Sequence, residues 1–268
     1  MRVCVLGDLL LDVIVRLDSP VAAGDDTSAE TRVGAGGQAA NVAAWVAELG
    51  EEARFVGKRA DDAAGRLVAE ELRSRGVDLA GPVVEGRNGV VVSLVGPNGD
   101  RTMASDRGVS PLLGAWELDM RWFRGCDWLH LSGYSLLRSP IDEAGAKAAG
   151  AVRALGGKVS VDLASASLIG AYGAERLVAR LRLLQPDVVF ANDDEVAAVG
   201  DELPAGTLVR KRGPEGIVVG DEALAAVQAE VVDSTGAGDA LAAGFIVGGP
   251  QLALETAARC VAKLGAMP

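Results

Sequence analysis

The chain has 268 residues, 49% of them apolar and only 10 prolines, enough to bury one substantial core, or one core plus a small appendage. Its net charge of -11 and sequence pI near 4.7 repel phosphate backbones and anionic lipid, which argues against nucleic acid and membranes as partners. Three widely spaced cysteines, Cys4, Cys126 and Cys260, with no C-x-x-C pair, suit a reducing cytoplasm rather than a disulfide framework or a zinc site.

The opening MRVCVLGDLLLDVIV is apolar but broken by Asp8 and Asp12, unlike a signal peptide or a membrane span. It reads as a strand, Arg2 to Leu6, and its continuation. Asp25 to Val33 alternates polar and small residues. Gln38 to Leu49 reads as a helix closed by Gly50, and Asp61 to Arg75 as another closed by Gly76, with acids early and arginines late as the helix dipole favours. Gly89 to Ser105 reads as a hairpin around Pro97, Asn98 and Gly99. Trp128 to Leu131, Val159 to Val161, Val188 to Ala191 and Ile217 to Val219 read as buried strands, with helices from Pro140 and from Glu175 between them. Such alternation predicts an α/β fold, a doubly wound and mostly parallel sheet flanked by helices, in a single domain over 1–268. The two segments that break the rhythm predict a small β-sheet lid, with strands from about 12–33 and 89–108. The only histidine, His130, lies in the apolar run WLHLSG and reads as a core residue, leaving little for Ser-His-Asp or histidine–metal chemistry.

Two segments carry chemistry. VVDSTGAGDALAAGF, Val231 to Phe245, reads as a short apolar strand, a glycine-rich turn and a small-residue helix. Gly236 and Gly238 free the backbone so that amides converge at a helix N-terminus, a setting that holds an anion. Asp239, where that helix begins, is either a base for a hydroxyl attacking a phosphoryl group or a helix cap. VGAGGQAANVAAWVAELG, Val33 to Gly50, opens a helix with three glycines in four positions. Gly34-x-Gly36-x-x-Ala39 is a weak dinucleotide fingerprint, since the preceding strand is polar and position 54 is arginine, although Glu51 and Glu52 are near. The other reading is close backbone approach to a polyhydroxylated ligand, with Asn41 offering donor and acceptor. No G-x-x-x-x-G-K-[ST] loop occurs, so any phosphate site falls to GAGD.

These two glycine segments in this order, with Asp12 after the first strand, resemble the ribokinase-like (PfkB) carbohydrate kinases over essentially the whole chain. Asn192 and Glu195 match the Asn-x-x-Glu element that such kinases use near magnesium and phosphate; the other reading is a helix start, with Asn192 as cap and acidic residues in the first turn. VRKRGPEGIVV, Val209 to Val219, looks like the family's strand and turn beside the nucleotide. The resemblance implies ATP-dependent phosphorylation of a hydroxyl on a small sugar or sugar-like molecule. Asp239 is then the general base, and Gly236, Ala237 and Gly238 supply the anion hole. Asp12, Gly36, Gly37 and Asn41 hold the substrate, with Arg107 reaching in from the lid. Asn192, Glu195, Gly213 and Gly216 lie at the nucleotide, Glu195 holds Mg2+ through water, and Asp233 sits where relatives bind a monovalent cation such as K+. The lid is the expected surface for a homodimer. Lys211 and Arg212 could steer ATP phosphates, but paired basic residues in a loop are usually just solvated, and they are left outside the catalytic set. Gln38 stands where ribokinases carry lysine, and Leu10 where they carry a ribose-contacting asparagine, so ribose is not the expected sugar. Rival readings are a nucleoside kinase, disfavoured by an aromatic content of 4%, a non-catalytic sugar-binding protein, which has no need of GAGD, and, more distantly, an NAD-dependent oxidoreductase.

Overall fold

The computed structural model describes residues 1–98, 100–163, 165–200 and 203–268, with Arg101 described by its backbone alone. The apolar β1 (Arg2–Leu6) is followed by β2 (Leu10–Leu17) and β3 (Ala29–Gly36), which pair antiparallel from Leu17↔Ala29 to Leu10↔Gly36. Residues 25–28 therefore lie outside the strand expected there. The alanine-rich α1 (Gln38–Glu48) follows, then β4 (Glu52–Val56), β5 (Arg59–Ala60) and α2 (Ala63–Ser74). Asp62 caps α2 by accepting from the Gly65 amide at 2.7 Å. Next come β6 (Asp78–Ala80), β7 (Val83–Val84), and the expected hairpin as β8 (Asn88–Val95) and β9 (Arg101–Gly108). Of its turn residues, Gly99 lies outside the described residues.

The second half alternates as the apolar runs require. β10 (Trp128–Ser132) leads to α3 (Gly133–Leu136) and α4 (Ile141–Ala154), then to β11 (Lys158–Asp162), α5 (Ala166–Tyr172) and α6 (Ala174–Leu184). β12 (Val188–Asn192), α7 (Asp193–Val199), β13 (Thr207–Lys211), β14 (Ile217–Val219) and β15 (Glu222–Leu224) precede the final helices α8 (Ala237–Gly248) and α9 (Pro250–Val261).

Nine strands form one sheet in the order β15-β14-β13-β12-β11-β10-β1-β4-β6. Pairing is parallel from β13 to β6 and antiparallel only at the β13–β14–β15 edge. Parallel strands need helical crossovers, so both faces are covered and the strands are largely apolar away from their ends. One core gathers Val3, Val5, Trp45, Phe55, Leu72, Phe190 and Leu241; the other gathers Leu6, Leu129, Leu131, Val152, Val161 and Leu181. His130 is fully buried as expected, 2.9 Å from Ser160 Oγ through Nδ1, and burial pushes its pKa down to about 4. A further expectation fails. Val231 and Val232 form no strand; both are exposed, and Val232 donates to the Val261 carbonyl, which ties the segment to the end of α9 rather than to the sheet.

A separate four-stranded sheet runs β3-β2-β8-β9. The register places Leu11, Val13 and Val15 with Val90, Val92 and Leu94 on one face and Asp12 on the other. No described helix is long and apolar enough to cross a membrane.

Candidate active site

In open α/β sheets, ligand sites lie beyond the carboxyl ends of the parallel strands. Asp8 follows β1 here, and Ser132, Asp162, Asn192 and Lys211 are the last residues of β10, β11, β12 and β13. The N-termini of α1 and α8 open onto the same edge, and the two helices pack against each other beneath it.

The GAGD turn begins α8. Gly236 is its N-cap at φ +76°, and a Cβ there would lie 2.4 Å from Ala266 Cβ, so both the conformation and the C-terminal packing require glycine. The Ala237 amide donates to the Ser234 carbonyl at 3.3 Å, whereas the Gly236, Gly238 and Asp239 amides find no protein acceptor among the described residues. Two of the three expected hole residues thus present free amides, and Asp239 supplies another in place of Ala237. Asp239 sits one turn into α8 and makes no capping bond; its Oδ2 accepts from Asn41 Nδ2 at 2.7 Å. Burial raises its pKa to about 7, Asp162 and Asp12 push the same way, and the Asn41 bond and the Lys211 charge oppose. A buried carboxyl with its pKa near neutrality, making no cap and standing beside free helix amides, is able to accept a proton at neutral pH.

Asn41 is itself buried, and its Oδ1 has no partner among the described residues. A buried, orphaned acceptor in a helix stretch of alanines and valines has room for a donor such as a substrate hydroxyl. Gly37, the N-cap of α1, holds φ +100°, and a Cβ there would meet the Asp8 carbonyl at 2.6 Å. A Cβ on Gly36 would fall 2.0 Å from Asp12 Oδ2, so this glycine makes room for the Asp12 carboxylate. Asp12, the Gly36–Gly37 pair, Asn41 and Asp239 therefore line one space. Arg107 also joins it: its guanidinium pairs with buried Asp8 and lies 4.0 Å from the centre of the Tyr134 ring. Burial lowers the Arg107 pKa.

Residues 1–267 match the family model described as pfkB family carbohydrate kinase. The chain belongs to the pfkB family of carbohydrate kinases. An ATP-dependent ribose-1-phosphate kinase from Halopiger xanaduensis is 35% identical over 279 residues, covering 97% of this chain and 90% of that protein. A fructokinase from Escherichia coli is 30% identical, covering 95% of this chain and 86% of its own. Among solved structures, adenosine kinase from Sinorhizobium meliloti superposes with a TM-score of 0.89 at 24% identity, over 100% of this chain and 95% of that one. The fold is thus ribokinase-like, with the large sheet and the smaller one expected from the sequence.

The kinase's Asn192 and Glu195 form a full capping box on α7. Asn192 Oδ1 accepts from the Glu195 amide at 2.8 Å, and Glu195 Oε2 accepts from the Asn192 amide at 2.9 Å. The helix-start role of this pair is therefore real, yet Glu195 is also buried at the site, with Oε2 4.0 Å from Lys211 Nζ. Burial raises its pKa, Lys211 opposes, and Asp162 adds to the rise. Among the described residues no group of three or more His, Cys, Asp or Glu side chains is arranged to hold a metal ion. One or two carboxylates plus water and phosphate oxygens suffice for Mg2+, and Glu195 fits that lean donor set. Gly213 and Gly216 shape the turn after β13; Gly216, at φ +94°, passes so close to Leu224 that a Cβ would meet its carbonyl at 2.0 Å. The Asp233 carboxylate accepts from the Thr235 amide at 2.9 Å and from the Gly265 amide at 3.0 Å, tying the turn before GAGD to the C-terminal segment.

Sequence reasoning passed over Asp162 and set Lys211 aside. The Lys211 ammonium donates to both Asp162 oxygens at 2.9 and 2.7 Å, with their side chains only 15% and 1% exposed. Burial lowers the Lys211 pKa, but Asp162 and Glu195 outweigh it and the net shift is upward. The available signal was position: each is a charged residue ending a buried parallel strand. Arg212 matches its expectation better, pairing with Glu215 at 2.5 Å on the surface.

Proposed function

We propose that this kinase transfers the γ-phosphoryl group of ATP to a hydroxyl of a small sugar or sugar-like substrate, with Asp239 as general base. One observation carries the reading: a carboxyl with a pKa of about 7, held by Asn41, stands at the start of α8 beside free backbone amides. The donor follows the name of the Halopiger xanaduensis relative, an ATP-dependent kinase. The attacking hydroxyl lies against Asp239, with Asn41 Oδ1 free to accept from a neighbouring hydroxyl; Asp239 takes the proton as the oxygen attacks, and the Gly236, Gly238 and Asp239 amides receive the charge on the transferring group. Glu195 and Asn192 would hold a nucleotide-bound Mg2+ through water, and that ion would supply charge neutralisation at the phosphate oxygens. Asp12 and the Gly36–Gly37 backbone grip further hydroxyls, with Arg107 at the lid side. The small sheet, β2, β3, β8 and β9, covers the substrate within a single domain.

A coupled ADP-release screen over pentoses, hexoses, sugar acids, sugar phosphates and nucleosides tests this. Saturable, ATP-dependent ADP release with a sugar or sugar derivative supports it; release with nucleosides alone transfers the acceptor to that class. No release above ATP hydrolysis with any acceptor refutes it.

Three finer readings accompany it. The half-buried Val13, Val15, Val92 and Leu94, with exposed Val33 on the adjoining strand, make the outer lid face the surface for a homodimer, which sedimentation equilibrium checks. The Asp233 turn is where K+ acts, so replacing K+ by tetramethylammonium lowers turnover. Three unbonded, buried thiols suit a cytoplasmic location, which fractionation checks.

A further inference from the structure

We propose that Lys211 is a catalytic residue that donates a hydrogen bond to the phosphoryl group in flight, completing the anion hole opposite the backbone amides of GAGD. An ammonium has three donors. Asp162 occupies at most two, through its Oδ1 and Oδ2 at 2.9 and 2.7 Å. The nearest Glu195 oxygen, at 4.0 Å, is beyond hydrogen-bond reach, and Lys211 has no other partner among the described residues. At least one N–H is thus left without an acceptor on a side chain only 15% exposed, a costly arrangement that an ion pair with Asp162 does not require.

The spare donor faces the reaction. A Cβ built on Gly238 would lie 3.5 Å from Lys211 Nζ and 3.8 Å from its Cδ, so the ammonium and the free Gly238 amide border the same space. The neighbouring cations of VRKRG turn elsewhere: Arg210 and Arg212 approach Asp193 at 3.4 and 3.6 Å, on half-exposed side chains. Charge points the same way. Asp162, Glu195 and Asp239 would place three carboxylates around an incoming anion, and Lys211 is the cation set among them. Clamped by Asp162, its charge is in position before the reaction and needs no reorganisation during it.

This inference rests on the ATP reading above. In the step, the substrate oxygen bonds to the γ-phosphorus and its proton passes to Asp239. The bond from the γ-phosphorus to the bridging oxygen breaks, its electron pair leaves with ADP, and Lys211 stabilises a non-bridging oxygen.

Calorimetric titration of wild type, Lys211→Met, Lys211→Arg and Asp162→Asn/Lys211→Met with Mg-ADP and with the magnesium complex of the non-hydrolysable β,γ-imido ATP analogue tests the contact. A charge-assisted hydrogen bond to the γ-phosphate weakens the analogue by about ten- to hundredfold in Lys211→Met while ADP changes little. Lys211→Arg, which keeps a charged donor, retains part of the preference. The double variant removes both charges together, so it recovers the melting temperature if Lys211→Met alone is unstable, without recovering the preference or turnover. Equal weakening of both nucleotides, or wild-type preference and turnover in the double variant, overturns the proposal and leaves Lys211 as the counter-ion of Asp162. Failure of wild type to bind either nucleotide overturns the ATP reading as well, which separates the two.

Discussion

Removing the Asn41 amide tests how the base is tuned. Burial raises the Asp239 pKa to about 7, and the 2.7 Å bond from Asn41 Nδ2 is the largest influence holding it down. The base acts when ionised, so kcat/KM for the sugar rises with pH along a one-proton curve with its midpoint near 7. A hydrogen bond to a charged group is worth ~1.5–3 kcal/mol. At about 1.4 kcal/mol per unit, Asn41→Leu, which keeps much of the volume but donates nothing, moves the midpoint upward by roughly one to two units. Asn41 also faces the substrate, but losing that contact lowers kcat/KM equally at every pH and leaves the midpoint in place. The assay is ADP release under first-order conditions across about three pH units either side of neutrality. An Asn41→Leu curve lower in amplitude with an unmoved midpoint refutes the claim that this amide sets the base.

Asp239 also predicts a stability change, with a sign fixed by the upward shift. Its folded-state pKa of about 7 exceeds the ordinary 3.8, so the stability it contributes is present below the unfolded value and lost as pH rises through the folded one. At pH ~8, Asp239→Asn is therefore more stable than wild type by up to about 4 kcal/mol, and the advantage vanishes near pH ~4; equal urea midpoints for the two proteins at both pH values refute this. Gly36→Ala places a methyl 2.0 Å from Asp12 Oδ2 and displaces that carboxylate. The sugar KM then rises roughly tenfold or more while ATP affinity holds, and parallel loss of both ligands in calorimetry contradicts the assignment. Hydrogen exchange in Ala29–Gly36, Asn88–Val95 and Arg101–Gly108 slows when the sugar binds, because phosphoryl transfer needs water excluded; unchanged exchange at saturation removes the lid role.

The parallel sheet was legible because its strands are short apolar runs between helices of clear period, and Gly50 and Gly76 mark helix ends that the structure bears out at positive φ. Asp239 was legible only as a base or a helix cap. The contact that bears on the choice joins residues 198 apart in sequence, Asn41 to Asp239, and no local pattern encodes it. Asp162 and Lys211 were hidden for the same reason: each looks like an ordinary polar residue at a strand end until β11, β12 and β13 lie side by side. Val231 and Val232, two β-branched residues before a glycine turn, carry the local propensity of a strand, but tertiary context overrides propensity: neither joins a sheet, and Val232 donates to the Val261 carbonyl at the end of α9. The helix start at Asn192 and Glu195 was legible, because a capping box is a local pattern of residues three apart.

The central claim is that Asp239 removes the proton from the attacking hydroxyl, and kcat of Asp239→Asn on the best acceptor from the screen tests it most directly. Asparagine keeps the shape and caps as well as aspartate but cannot take a proton. The account predicts a kcat lower by about 10²–10⁴-fold, with sugar and nucleotide still bound and the fold intact. A variant that binds both ligands and turns over within about threefold of wild type, far short of that loss, contradicts it.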